Sequence, residues 1–313
     1  MTDAMVDLYC ASYAWPPAAV PLDIDDTPDI VHGHQELSLY NSHYGERCFL
    51  PIHVYDTATA RPVAVLLRPG KTPSGEEILD RLVRRIRRHW PDTRLTIRGD
   101  SHDGRPAVMA WCEANGLADI FGLSGNAVLD RLVEPIADAV RVRRALTQAP
   151  AVRRYTEIRY GAQSWHGERR VAARIEATPQ GLDIRYVVTS LRRGSAEWLY
   201  AALYCARGQA ENLIKLHKAQ LASDRTRCRD PLANPVRLIL HTAAYWLLLC
   251  VRDAIPGPQP LATAEFTTLR LGLIKIGACI TKTARQVRIA FTTACPEADL
   301  FASLVRSCLP AGP

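Results

Sequence analysis

RLTIRGDSHDGRPAVMAWCEANGLADIFGL, residues 94–123, decides the fold class. Its first five residues, RLTIR, alternate apolar and polar side chains and read as a short strand running into Gly99 and Asp100. A helix is expected over about residues 105–115, and ADIFGL, residues 118–123, reads as a further strand. Upstream, residues 20–25 alternate in the same way after Pro16 and Pro17, and end in an acidic cluster. CFLPIHVY (residues 48–55) and PVAVLL (residues 62–67) read as two more strands joined by a turn, so the first three strands form an antiparallel meander. Between meander and crossover, Ile78, Leu79, Leu82, Val83 and Ile86 follow helical spacing, with Ser74, Glu76 and Glu77 as a capping start. A meander followed by alternating strand and helix predicts a mixed α/β sheet flanked by helices.

Downstream the pattern changes. RRYTEIRY, RRVAARIEA and LDIRYVVTSL, between residues 153 and 191, are separated by turns near Gly161, Gly167 and Gly181, and read as three antiparallel strands. Ser195 opens a long helix through about Gln220, and the remainder reads as mostly helical apart from a Pro-Gly stretch at residues 256–260. The expected organisation is a lead (1–19), a first core segment (20–150), a β-rich insertion (151–193), a second core segment (194–255) and a C-terminal helical region (256–313).

Composition narrows the class. With 313 residues, 48% of them hydrophobic and 23% charged, the chain has ample material for a packed core and is not mainly disordered. A net charge of +7, with arginines at 84, 85, 87 and 88, at 141, 143 and 144, and at 153, 154, 169, 170, 192 and 193, suits a polyanionic partner. Any single basic run also fits a solvated helix face. Nine cysteines form no zinc-type spacing, and their odd number argues against a complete disulfide framework, so a reducing cytoplasm is expected. Cys112 and Cys205 read as small core residues. His32 and His34 read as structural rather than metal-binding, and the apolar run at residues 238–251 as a buried helix too short for a bilayer.

Asp25 and Asp100 each close a strand, where α/β sheets place functional groups; singly, each also reads as a turn or cap residue. A third carboxylate comes from the long helix. At ~100° per residue, Tyr204, Arg207, Glu211 and Lys218 project within ~60° of one another, placing a phenol, two cations and a carboxylate on one stripe. A plain surface reading is available too, since Arg207 and Glu211 form an i,i+4 pair worth only ~0.2–0.5 kcal/mol.

The spacing Tyr204-x2-Arg207-x3-Glu211-x6-Lys218 resembles the YREK signature of bacterial insertion-sequence DDE transposases. LDIDDT (residues 22–27) and IRGDS (97–101) are similar to the family's two aspartate strands, and ANPVRLILHTAAYWL (233–247) to a helix that follows the signature; the resemblance spans residues 20–252. It implies an RNase H-like core with a β-rich insertion before the glutamate helix. Asp25, two residues before Thr27, matches the first catalytic aspartate, with Asp23 and Asp26 as competitors; Asp100 matches the second and Glu211 the glutamate. Tyr204, Arg207 and Lys218 match residues that contact DNA phosphates.

Three converging carboxylates need cations, and all-oxygen ligation favours Mg2+ or Mn2+, two ions being the natural occupancy. The resemblance further implies double-stranded transposon ends as partner, a homodimer in the synaptic complex, and cut-and-paste transposition. Trp165 and Trp198 are candidates for stacking on a flipped base. With about two dozen residues before Asp25, the end-binding helical region of relatives is expected to be missing and the copy truncated. Two other readings share these residues: an RNase H-like nuclease without strand transfer, and an inactive remnant that binds DNA nonspecifically.

Overall fold

In the computed structural model, residues 2–33, 35–71, 75–292 and 295–308 are described. The chain divides into two compact units, one of Met1–Ile214 with Asp224–Leu238, the other of Lys215–Ser223 with Ile239–Pro313.

The first unit opens with α1 (Thr2–Ala11), in the segment expected to be only a lead. It buries Met5, Val6, Tyr9 and Cys10, and Arg85 fixes it by donating two hydrogen bonds of 2.6 Å to Asp7. The strands β1 (Ala19–Asp26), β2 (Asp29–Ile30), β3 (Leu39–Asn41), β4 (Glu46–Phe49), β5 (Ile52–Asp56) and β6 (Arg61–Leu66) follow. The stretch read as one strand, residues 48–55, is two. Pro51 has no N–H to give a ladder, and the chain passes there from a small sheet of β2, β4 and β3 into the main one. Next come α2 (Glu76–His89), β7 (Arg94–Gly99), α3 (Pro106–Ala114), β8 (Ala118–Leu123) and α4 (Ala127–Thr147). Helix α2 begins at Glu76 after Gly75, and the expected cap Ser74 lies outside the described residues. Its arginine run is a helix face above buried Leu79, Leu82, Val83 and Ile86.

The three strands of the expected insertion are β9 (Val152–Tyr160), β10 (Arg169–Thr178) and β11 (Gly181–Thr189). They extend the main sheet, because β11 pairs antiparallel with β8. The result is one mixed eight-stranded sheet in the order β6-β5-β1-β7-β8-β11-β10-β9, with β1, β7 and β8 parallel and β5 and β6 antiparallel. This is the mixed α/β architecture the sequence predicts. Strand β1 sits inside the sheet and buries Val20, Leu22, Asp23 and Ile24.

The helix expected from Ser195 is not uniform: a π-helical turn (Trp198–Tyr204) and a 3-10 turn (Cys205–Arg207) precede α5 (Gly208–Leu221). After it, α6 (Ala233–Asp253) runs for 21 residues, long and apolar enough by length and composition to cross a membrane. It is less buried than the sequence reading expected, with Leu240 and Leu247 exposed. The second unit continues with the short α7 (Phe266–Leu269), a hairpin of β12 (Ala278–Lys282) and β13 (Val287–Phe291), and α8 (Ala298–Cys308). The hairpin lies in the region read as mostly helical.

Candidate functional site

The site begins with the register of two strands. Parallel pairing sets Asp23 of β1 opposite Arg98 of β7, and Asp25 and Asp100 each follow two residues later in the chain. Side chains two apart share a face of a strand, so Asp23 and Asp25 point the same way. Arg98 donates from Nε and Nη2 to the two oxygens of Asp23, both at 2.6 Å, and the pair is fully buried. Nη2 also donates to Thr57 Oγ1 at 2.9 Å, and Nη1 to the carbonyl of Leu203 at 2.7 Å. One guanidinium thus ties both aspartate strands to the helical segment ahead of Arg207 and Glu211.

Arg207 arrives from that segment with only 8% of its surface exposed. It donates from Nη2 to Asp25 Oδ2 and from Nη1 to Glu211 Oε1, each at 3.3 Å. Asp25 and Glu211, 186 positions apart in the chain, are therefore gathered on one cation. Burial pushes the Asp25 carboxyl up to about 7; Arg207 opposes this, while the nearby charges of Asp100, Asp26 and Glu211 reinforce it. The three competing aspartates have separate partners: Asp23 holds Arg98, Asp26 holds Arg68 at 3.0 Å, and Asp25 faces Arg207.

Asp100 closes a turn, its Oδ1 accepting from the N–H groups of His102 at 2.7 Å and Asp103 at 3.2 Å. Asp103, which the sequence reading passed over, joins the cluster: burial raises its carboxyl pKa well above the usual range, and Asp100, Asp26 and Asp25 add to the effect. Its one visible signal is its place three residues after Asp100. The Tyr204 hydroxyl lies over Gly122, where an added Cβ would come within 2.6 Å of it and 3.3 Å of the Asp100 carbonyl carbon. A side chain on β8 would thus crowd the phenol and the aspartate turn together. Lys218 is half-buried on α5 and belongs to the second compact unit.

The donors suit a hard divalent cation, since all are carboxylates, and the charges of Asp100, Asp26 and Glu211 all act on Asp25. Among the described residues, no three Asp, Glu, His or Cys side chains already stand at ligating distance. Arg207 sits between Asp25 and Glu211, and the Glu211 side chain, 54% exposed, has room to turn.

The remaining candidates fall elsewhere. His32 is exposed, and His34 lies outside the described residues. Cys112 is buried as expected, whereas Cys205, in the 3-10 turn, is exposed. Trp165 stacks edge-on against Tyr160 with Arg169 over its ring, and Trp198 is 47% exposed beside Gly194.

A family model described as transposase DDE domain group 1 matches residues 1–311. The chain belongs to that family. DDE transposases generally use divalent metal ions, for which the carboxylates of this DDE domain are suitable donors. No curated protein matches the chain. Among solved structures, the cryo-EM piggyBac transposase synaptic complex with hairpin DNA is similar at 11% identity and a TM-score of 0.49, with 96% of this chain and 60% of that one covered. The DDE domain thus spans about 60% of the length of that protein.

Proposed function

We propose that this DDE-domain protein is a transposase that cleaves DNA strands and transfers them in the cut-and-paste movement of an insertion sequence. The observation that carries the reading is the meeting of Asp25 and Glu211 on Arg207, near enough to Asp100 for its charge to raise the Asp25 carboxyl pKa. Asp25, Asp100 and Glu211 would hold two Mg2+ or Mn2+ ions. Bound there, the ions supply activation of water or a 3′-hydroxyl and stabilisation of the leaving oxygen in an in-line displacement at phosphorus.

The chain's own groups position the strand. Arg207 and Lys218 neutralise phosphate charge, and Tyr204 adds a hydrogen bond from its hydroxyl. Arg98, through Asp23 and the Leu203 carbonyl, fixes the distance between the aspartate strands and the glutamate helix. Double-stranded transposon ends are the partner, two copies of the chain bring two ends together, and the protein acts in the cytoplasm.

The test is a cleavage assay on double-stranded DNA with Mg2+ or Mn2+. Asp25→Ala, Asp100→Ala and Glu211→Ala should each abolish nicking while leaving salt-sensitive DNA binding in place. Full nicking by any of the three removes that residue from the site. A pre-cut 3′-OH end offered to the wild-type chain then separates strand transfer from hydrolysis alone.

A further inference from the structure

Helix α4 carries more apolar surface than its packing uses. Leu129, Val133, Ala137 and Val140 form its buried face, against β9, β10 and β11. A second apolar line, Val128, Leu132, Pro135, Ala139, Val142 and Leu146, runs along another side in steps of four, three, four, three and four. That line faces solvent: Val128 is 54% exposed, Leu132 48%, Val142 57% and Leu146 80%. A seam repeating every 3.5 residues over a helix about 31 Å long is the pattern by which one helix seats the knobs of another with the same repeat. Isolated exposed leucines need no explanation, whereas six apolar positions in one register over 21 residues do.

The flanking charges select the occupant and its direction. With Leu132, Ala139 and Leu146 as one set of seam positions and Val128, Pro135 and Val142 as the other, Asp138 and Arg143 fall on the two flanks where coiled coils place interhelical ion pairs. Two copies of α4 lying parallel set Asp138 of each against the partner's Arg143, five positions further on, so both symmetry-related pairs are attractive. The antiparallel arrangement that keeps all six seam positions in contact brings Asp138 against the partner's Asp138. Among the described residues of one chain, Asp138 makes only a surface pair with Arg141 at 2.6 Å, an interaction of the weak class that is readily exchanged.

We propose that α4 is a self-association surface, pairing in parallel along its exposed seam with α4 of a second copy of this chain. The proposal deepens the expected two-copy assembly by naming its contact, and its test needs neither DNA nor metal, so its failure leaves the carboxylate site untouched.

Sedimentation of the full chain reads it directly. The wild type should be a dimer at micromolar concentration. Leu132→Glu and Leu146→Glu should be monomers with unchanged circular dichroism, both positions being exposed. Asp138→Arg and Arg143→Asp should each weaken the dimer about tenfold, and the double reversal should restore it to within about threefold. A monomeric wild type overturns the proposal, as does a dimer that survives Leu132→Glu and Leu146→Glu. A double reversal no better than the single changes refutes the parallel pairing.

Discussion

Arg98 holds Asp23 through two charge-assisted hydrogen bonds of 2.6 Å, and its remaining guanidinium nitrogen reaches 2.7 Å to the carbonyl of Leu203. Asp23 and Arg98 stand two residues ahead of Asp25 and Asp100, and Leu203 stands eight ahead of Glu211. A single buried cation therefore sets the spacing of all three proposed ligands. Removing one partner of a buried pair costs about 3–5 kcal/mol because the other charge is left uncompensated. Arg98→Ala should lose stability on that scale by urea unfolding. Arg98→Lys cannot reach Asp23, Thr57 and Leu203 together; it should keep more of the stability yet lose cleavage about as fully as Arg98→Ala. Wild-type cleavage by Arg98→Lys would show that the clamp serves the fold alone.

Gly122 makes room for Tyr204. An added methyl would lie 2.6 Å from the phenol oxygen and 3.0 Å from the Ser101 nitrogen, so the ring must swing and the Asp100 turn must give. Overpacking of this kind costs about 1–3 kcal/mol. A displacement of about 1 Å near reacting groups can lower a rate about a hundredfold. Gly122→Ala should slow cleavage strongly, and in a Tyr204→Phe background it should add less, because the closest clash is gone. Equal penalties in both backgrounds would place the strain in the backbone and not at the phenol.

His217 gives the second compact unit a pH response. It is fully buried, with its ring nitrogens 2.6 Å from Ser223 Oγ and 3.2 Å from Thr242 Oγ1. Burial lowers its pKa to about 3, with His241 and Lys218 adding to the effect. The unfolded chain takes up a proton near pH 6.5 that the folded chain refuses. Stability is therefore intact above that value and falls as pH drops toward 3, by about 1.4 kcal/mol per unit. His217→Gln should flatten the loss between pH 6 and pH 4 in urea titrations; an unchanged slope would assign the acid sensitivity to other groups.

Much of the central sheet was legible because its strands alternate or carry short apolar runs, and residues 94–123 hold a strand, a helix and a strand in sequence. Asp25 and Asp100 were visible as strand-end carboxylates. The Asp23–Arg98 clamp was not, since it depends on the register of two strands 75 positions apart. The π and 3-10 turns before α5 were equally hidden: the steps of three and four residues from Tyr204 to Arg207 and Glu211 read as a regular helix, and the departure coincides with the carbonyl that Arg98 captures. Helix α4 escaped notice because its two apolar faces blur the single stripe that marks an amphipathic helix. Asp103 gained meaning only once the turn after Gly99 folded it back beside Asp100.

The most direct measurement of the central claim is Mn2+ titration of the folded protein by electron paramagnetic resonance, comparing the wild type with Asp25→Asn, Asp100→Asn and Glu211→Gln. The account predicts that the wild type binds the ion and that each amide variant loses affinity at least about tenfold, since each removes one hard anionic ligand. Wild-type Mn2+ affinity in all three variants would contradict it.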